Sequence, residues 1–433
     1  MTDIQKLLCD AEAIQPELVN IRRELHRHPE VGFDLPYTKA FVMKKLTEFG
    51  CEPQELGRAG VTAIVGGRRS QTSAATSADV ESEKRSQASA ATSADAESGK
   101  TILLRADMDA LFMTEEADVD YKSEHDGRMH GCGHDMHTAM LLGAAKLLKA
   151  HEDELCGTVK LEFQPAEEIF QGSPDMIGAG LLEDPRVDAA VMIHVTAGMA
   201  LPSGTFLVSG GGISSTSCEQ YHITVKGKGG HGSTPSEAID PITAAAHMHI
   251  AMQEINSREL DGNDFGIFTT GRFEAGKSSN VIPDTAEMWG TIRTTDPSGA
   301  VGDLIKTRMT EICRGIGAAF RCGVDVEFYD YCPCMVIDPS LAGDTLRYMK
   351  ELVGDSAIDL SVVSGGKAGG GSEDFAFVSH RVPTVSMFLS AGSSNDGYVF
   401  GQHHPKVRFD DSVLHLGSAA YAYTALSWLR EHM

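Results

Sequence analysis

Apolar residues recur at helical spacing over residues 10–29 and 37–49. The spacing predicts two helices, interrupted at His26-Arg27-His28-Pro29 and Asp34-Leu35-Pro36, where proline forbids continuation. A strand follows near Val61–Val65. Three later segments, Thr101–Ala106, Thr158–Phe163 and Ala189–Ile193, are almost unbroken apolar runs rather than alternating ones, as expected of strands covered on both faces. Between the first two, Met140–Leu148 returns to helical spacing. Polar groups gather only where strands end. That rhythm predicts an α/β fold, a doubly wound and mostly parallel sheet with its site along the C-terminal edge of the strands.

Around residue 217 the pattern changes. Strand Tyr221–Val225, a helix near Ile242–Ile255, strands near Phe265–Phe273 and Ala286–Arg293, a helix near Val301–Phe320 and strand Val324–Phe328 make a β-α-β-β-α-β order. The expectation is a ferredoxin-like α+β lid or dimerisation domain at 217–329, inserted into a catalytic domain formed by 1–216 and 330–433. Residues 70–100 fit neither. Ser70–Asp79 returns with one change as Ser86–Asp95, a duplicated Ser/Ala/Thr segment with little to bury, expected to be a disordered surface insertion.

Composition narrows the partners. The chain has 433 residues, 42% hydrophobic and 23% charged, with room for two domains. A formal charge of −24 with no basic patch argues against nucleic acid or an anionic membrane surface as a partner. The N-terminal residues open directly into an amphipathic pattern, without a secretory signal or a membrane-spanning run, so a cytoplasmic location is expected. Nine cysteines, an odd and scattered set, suit free thiols better than a disulfide framework; Cys332-Pro333-Cys334 reads as structural.

The densest chemistry lies in Met129–His137, with three histidines, a cysteine and an aspartate in nine residues. Cys132 and His134, one glycine apart, can project into one small volume from a turn, where a thiolate and an imidazole suit zinc or a similar divalent ion. Asp107 and Asp109 end one strand and point the same way. Glu167 and Glu168 follow the next, a pair suited to one carboxylate binding metal while the other moves protons. His194 ends a third. Near the C-terminus, Gly369–Phe375 leads to two carboxylates, and either His403 or His404 could ligate a metal.

Two further matches carry no such weight. Gly271–Ser278 fits the phosphate-loop pattern, but Pro283 blocks the helix that must follow; Gly227–Gly232 fits a dinucleotide fingerprint, but Pro235 intervenes. Those glycines better suit a tight loop that holds His231 out toward a ligand. No Gly-x-Ser-x-Gly occurs, which disfavours a serine hydrolase.

Taken together, Arg105–Leu111, Met129–His137, Gln164–Glu168, Gly229–Pro235, Asn280–Pro283, Gly371–Phe375 and His403-x-Pro405 resemble the amidohydrolase branch of the aminoacylase–carboxypeptidase superfamily of di-metal peptidases. That branch includes hippurate hydrolases, auxin–amino-acid conjugate hydrolases, N-acyl-amino-acid hydrolases and aminobenzoyl-glutamate hydrolase subunits. The resemblance implies a di-zinc exopeptidase-like catalytic domain and two divalent metal ions per subunit (Zn, Mn, Co or Ni). Cys132, His134, Glu168, His194 and His403 would bind them, His403 being preferred by the pattern His-x-Pro-x-x-x-Phe. Glu167 would be the general base, with Asp109 orienting a ligand from behind. His231 and Asn280 would serve the oxyanion and the substrate carboxylate, with Arg293 a further candidate for the latter, and a homodimer would form through the inserted domain. The implied reaction is hydrolysis of N-acyl or N-aroyl amino acids by a metal-activated water. The alternatives are a dipeptidase or carboxypeptidase of the same mechanism and a non-catalytic metal-binding dimer. Phe112 departs from the pattern, since relatives have proline there.

Overall fold

The computed structural model describes residues 4–67 and 99–433. Nearly all of the duplicated segment, residues 70–98, lies outside them. The described chain separates into two compact units. The first comprises Met1–Gly211, Ile337–Gly366 and Arg381–Met433, and the second Gly212–Val336 with Lys367–His380.

The first unit is built on an eight-stranded mixed sheet. Its strands run in the order Gln54–Leu56, Gly60–Gly66, Thr158–Gln164, Thr101–Asp107, Ala189–Thr196, Thr384–Ser390, Phe206–Val208 and Ala357–Asp359. The central four are parallel to one another, and the predicted apolar runs are these strands: Thr101–Asp107 and Thr158–Gln164 are buried at every position. Helices His134–Ala150 and Leu414–Glu431 pack against the sheet and each other. A side chain at Gly143 would strike Ser418, and one at Gly417 would strike Met140, so glycine is what permits the close approach. Ser418 then donates to the Met140 carbonyl at 2.9 Å.

The first helix, Ile4–Arg27, begins six residues earlier than its spacing suggested and contains Pro16. Its stripe Leu7, Ala11, Leu18, Ile21, Leu25 is buried throughout. Burial of that stripe outweighs the backbone bond that proline removes.

The main elements of the second unit follow one another in the order β-α-β-β-α-β. Four antiparallel strands lie in the order Gly266–Ala275, Thr285–Thr294, Cys218–Lys226, Gly323–Cys332, and helices Pro241–Glu254 and Ala300–Phe320 pack on the sheet over Tyr221, Ile223, Met248, Met288, Ile305 and Met309. The phosphate-loop look-alike is mostly extended strand, within Gly266–Ala275. Lys367–His380, which chain order alone assigns to the first unit, belongs to the second. Ser372 Oγ donates to the Thr216 carbonyl at 2.9 Å, and Arg293 Nη1 donates to Gly370 O at 3.1 Å and Ser372 Oγ at 3.0 Å. Among the described residues no helix is long and apolar enough to cross a membrane.

Candidate metal centre

The cluster forms because a glycine breaks the chain at the right place. Gly133 has φ 91°, and a side chain there would collide with Val195 and Phe409. The helix therefore starts at His134, sooner than the apolar run suggested, and carries His134 and His137 one turn apart on the same face. His134 Nδ1 donates to the Asp109 carbonyl at 2.8 Å, which leaves Nε2 to face inward. That nitrogen is buried without a hydrogen-bond partner, 3.6 Å from Asp107 Oδ2, 3.7 Å from Glu168 Oε1 and 3.9 Å from Glu167 Oε2.

Other elements converge on the same point. His194 lies inside its strand rather than at the end of it, because that strand continues alongside Thr384–Ser390 to the pair Thr196–Ser390. Its Nε2 is 3.5 Å from Cys132 Sγ. His403 takes a left-handed backbone, φ 62°, and its N–H donates to Gly131 O at 3.0 Å, beside the Cys132 turn. Its Nε2 is 3.6 Å from Glu168 Oε1. His404 is occupied elsewhere, stacked on Phe400 and accepting from the Lys406 N–H. Ligand atoms of Cys132, His134 and His194, of Cys132, Glu168 and His403, and of His134, Glu167 and Glu168 lie within 4.8 Å of one another.

Asp109 aims both glutamates. Its two carboxylate oxygens accept from the N–H groups of Glu167 (3.0 Å) and Glu168 (3.3 Å), closing the 3₁₀ turn Glu167–Ile169, which is entered and left through left-handed residues Ala166 and Phe170. The sequence marks two further participants, Asp107 at a strand end and His137 in the densest stretch, without giving either a role. Asp107 accepts from Arg105 Nη1 at 2.7 Å and from His137 Nδ1 at 2.6 Å, while His137 Nε2 accepts from the Val195 N–H at 2.8 Å. Both nitrogens of His137 are thus committed, and it braces the site rather than facing it. Burial pushes its pKa down to about 3, so it stays neutral. The i, i+3 spacing from His134 was the available signal.

The donors favour holding protons as if a cation were wanted among them. Burial pushes the Glu168 carboxyl up to about 7 and raises the Cys132 thiol further still. Although burial opposes a charge on His134, Asp107 and Asp109 hold its pKa well above the usual value. Protons sit where a divalent ion would replace them. The partnerless His134 Nε2 and Glu168 Oε1 are atoms that such an ion would satisfy, and a sulfur, imidazole and carboxylate set suits a borderline-soft cation.

The other predicted residues belong to the second unit. His231 and Asn280 adjoin on a two-stranded ribbon, with His231 paired to Val281 and the Gly232 N–H donating to Asn280 O at 2.8 Å. His231 is exposed. Its Nδ1 accepts from the Ser233 N–H at 3.1 Å, which places the proton of the neutral ring on Nε2. Arg293 lies on the four-stranded sheet, tied to Gly370 and Ser372.

A profile of peptidase family M20/M25/M40 matches residues 103–427. Thermostable carboxypeptidase 2 of Saccharolobus solfataricus is 33% identical, with 98% of each chain covered. The hippurate hydrolase of Campylobacter jejuni is 32% identical over 96% of this chain and 98% of its own. Among solved structures, a dinuclear metal-binding M20 peptidase of Bacillus subtilis is similar with a TM-score of 0.74 and 29% identity, covering 97% of this chain and 99% of that one.

Proposed function

Since the chain belongs to peptidase family M20/M25/M40 and is a metal-dependent hydrolase, we propose that it cleaves the amide bond of N-acyl amino acids whose acyl group is apolar or aromatic. The observation that carries the substrate class is a set of exposed apolar side chains next in sequence to the site residues. Phe112 (79% exposed), Ile169 (41%), Met199 (43%) and Val399 (60%) each lie within five residues, along the chain, of Asp109, Glu168, His194 or His403. Exposed apolar side chains beside polar, metal-ligating residues suit a site for an apolar ligand group.

Cys132, His134, Glu168, His194 and His403 would hold two divalent ions per subunit, drawn from zinc, manganese, cobalt or nickel. When bound, such ions lower the pKa of water and polarise an amide carbonyl. The chain supplies the rest. Glu167 takes the proton of the attacking water and passes it to the leaving nitrogen. Asp109 holds Glu167 in place through its backbone N–H. His231 donates its Nε2–H to the developing oxyanion, its tautomer set by Ser233. Asn280 and Arg293 receive the substrate carboxylate.

Phe112 stands on a rigid perch. Leu111 exchanges two backbone hydrogen bonds with Met129, and the Ala110 N–H donates to Glu30 O at 2.7 Å. An aromatic acyl group stacked there gains roughly 0.5–1.5 kcal/mol. Metal-loaded wild type is therefore expected to prefer benzoyl over acetyl amino acids in kcat/KM, and Phe112→Ala to lose roughly 3- to 10-fold of that preference. Equal loss on both substrates would remove Phe112 from the acyl site. The carboxypeptidase relative favours a second reading, release of a C-terminal residue from short peptides. Faster turnover of dipeptides than of any acyl amino acid in the same panel would establish it.

The reading includes a homodimer through the second unit. Its edge strand Gly266–Ala275 exposes Ile267 and Phe273, and the helix Pro241–Glu254 exposes Ile250 at 69%. Unpaired edges with apolar side chains invite pairing with a second chain. Light scattering is expected to give twice 46.4 kDa, falling to the monomer mass in Ile267→Asp. A wild-type monomer at micromolar concentration would refute it.

A further inference from the structure

We propose that Tyr421 is a positioning residue that sets the width of the metal centre by holding two strands of the main sheet apart. Strands Thr101–Asp107 and Ala189–Thr196 pair in parallel from Ile102–Ala189 to Arg105–Met192, and their pairing stops there although both continue. In a parallel ladder the next bond would run from the Ile193 N–H to the Arg105 carbonyl. The Tyr421 hydroxyl stands in its place, accepting from Ile193 N at 2.8 Å and donating to Arg105 O at 2.6 Å. Two residues further along, His137 bridges the same gap, from the Val195 N–H to the Asp107 carboxylate.

The two wedges come from the helices that pack on this sheet, Tyr421 from Leu414–Glu431 and His137 from His134–Ala150. Each is fully buried and satisfies groups on both strands. The splay lies directly below the chemistry, for Asp107 ends one strand and His194 is the next residue after Ile193 on the other. If the ladder closed by direct bonding, His194 would shift with its strand toward Asp107, altering its position relative to Cys132. A hydroxyl some way down the sheet thus acts on the ligands through the backbone.

The inference rests on reading this cluster as a metal centre, and the test separates the two. Cobalt(II) is titrated into wild type, Tyr421→Phe and Tyr423→Phe, following the visible ligand-field bands, the metal affinity, and kcat and KM. Tyr423 is the control, since it is on the same helix but its hydroxyl donates to Glu351 instead. In Tyr421→Phe the bands are expected to shift, metal affinity to weaken about 10- to 100-fold, as with other groups that orient ligands, and kcat to fall with little change in KM. Tyr423→Phe should match wild type. Bands and affinity unchanged in Tyr421→Phe, whatever happens to thermal stability, would overturn the proposal. Absence of cobalt bands in wild type would instead overturn the metal-centre reading. Should Tyr421→Phe not fold, fluorotyrosine at 421 retains the hydroxyl while altering its hydrogen bonds, and bands insensitive to that change would also overturn the proposal.

Discussion

Glu167→Gln is expected to reduce kcat by about 10²- to 10⁴-fold, the contribution of a positioned general base, while metal content and KM stay near wild type. The substitution keeps size and removes only the ability to take a proton. Glu167 is 6% exposed, its N–H is fixed to Asp109 at 3.0 Å, and Oε2 is 3.9 Å from His134 Nε2. Steady-state kinetics on benzoyl amino acids, with metal analysis of the same preparations, decides the matter. Retained activity would assign the base elsewhere. A matching loss of metal would make Glu167 a ligand.

Arg22→Met is expected to cost about 3–5 kcal/mol of stability, because it leaves a buried carboxylate without its main counter-charge. Arg22 and Asp135 are 1% and 0% exposed, and Arg22 Nε donates to Asp135 Oδ2 at 2.7 Å. Arg22 Nη1 also donates to Asp411 at 2.9 Å, and His26 Nδ1 lies 2.8 Å from the same Asp135 oxygen. Burial works against the Asp135 charge, and Arg22 and His26 more than compensate, holding its pKa far below the usual carboxylate range. Because the folded-state pKa is depressed, this stabilisation is fully present above the unfolded value of about 3.9 and is lost as pH falls through the folded one. Removing Arg22 should therefore lower the denaturation midpoint at pH 7 and move acid unfolding to higher pH. A variant within about 1 kcal/mol of wild type at pH 7 would show that Asp135 does not depend on Arg22.

Much of this architecture was legible in the sequence, for identifiable reasons. Thr101–Asp107 and Thr158–Gln164 could be read as central strands because burial on both faces abolishes alternation. The strands and helices of the second unit were suggested by the change of period after residue 217, though the unit also takes in residues 212–216 and Lys367–His380. The choice between His403 and His404 could not come from the residues alone, since it depends on a left-handed backbone at His403 and an aromatic stack that occupies His404. Asp107 and His137 could be noted but not joined, because their partnership spans thirty residues of sequence and is completed by a backbone N–H from a third element, Val195. The placement of Lys367–His380 was hidden for a similar reason. Its bonds run to Thr216 and Arg293, far away along the chain.

Asp109 has a consequence for how this enzyme can change over evolutionary time. One carboxylate grips adjacent backbone N–H groups, so the residue assigned to move protons and the residue assigned to bind metal are steered by a single anchor. Neither can be re-aimed without disturbing the other. Adaptation to new substrates is therefore channelled away from this turn and into positions such as Phe112, which stands outside that linkage and is free to vary.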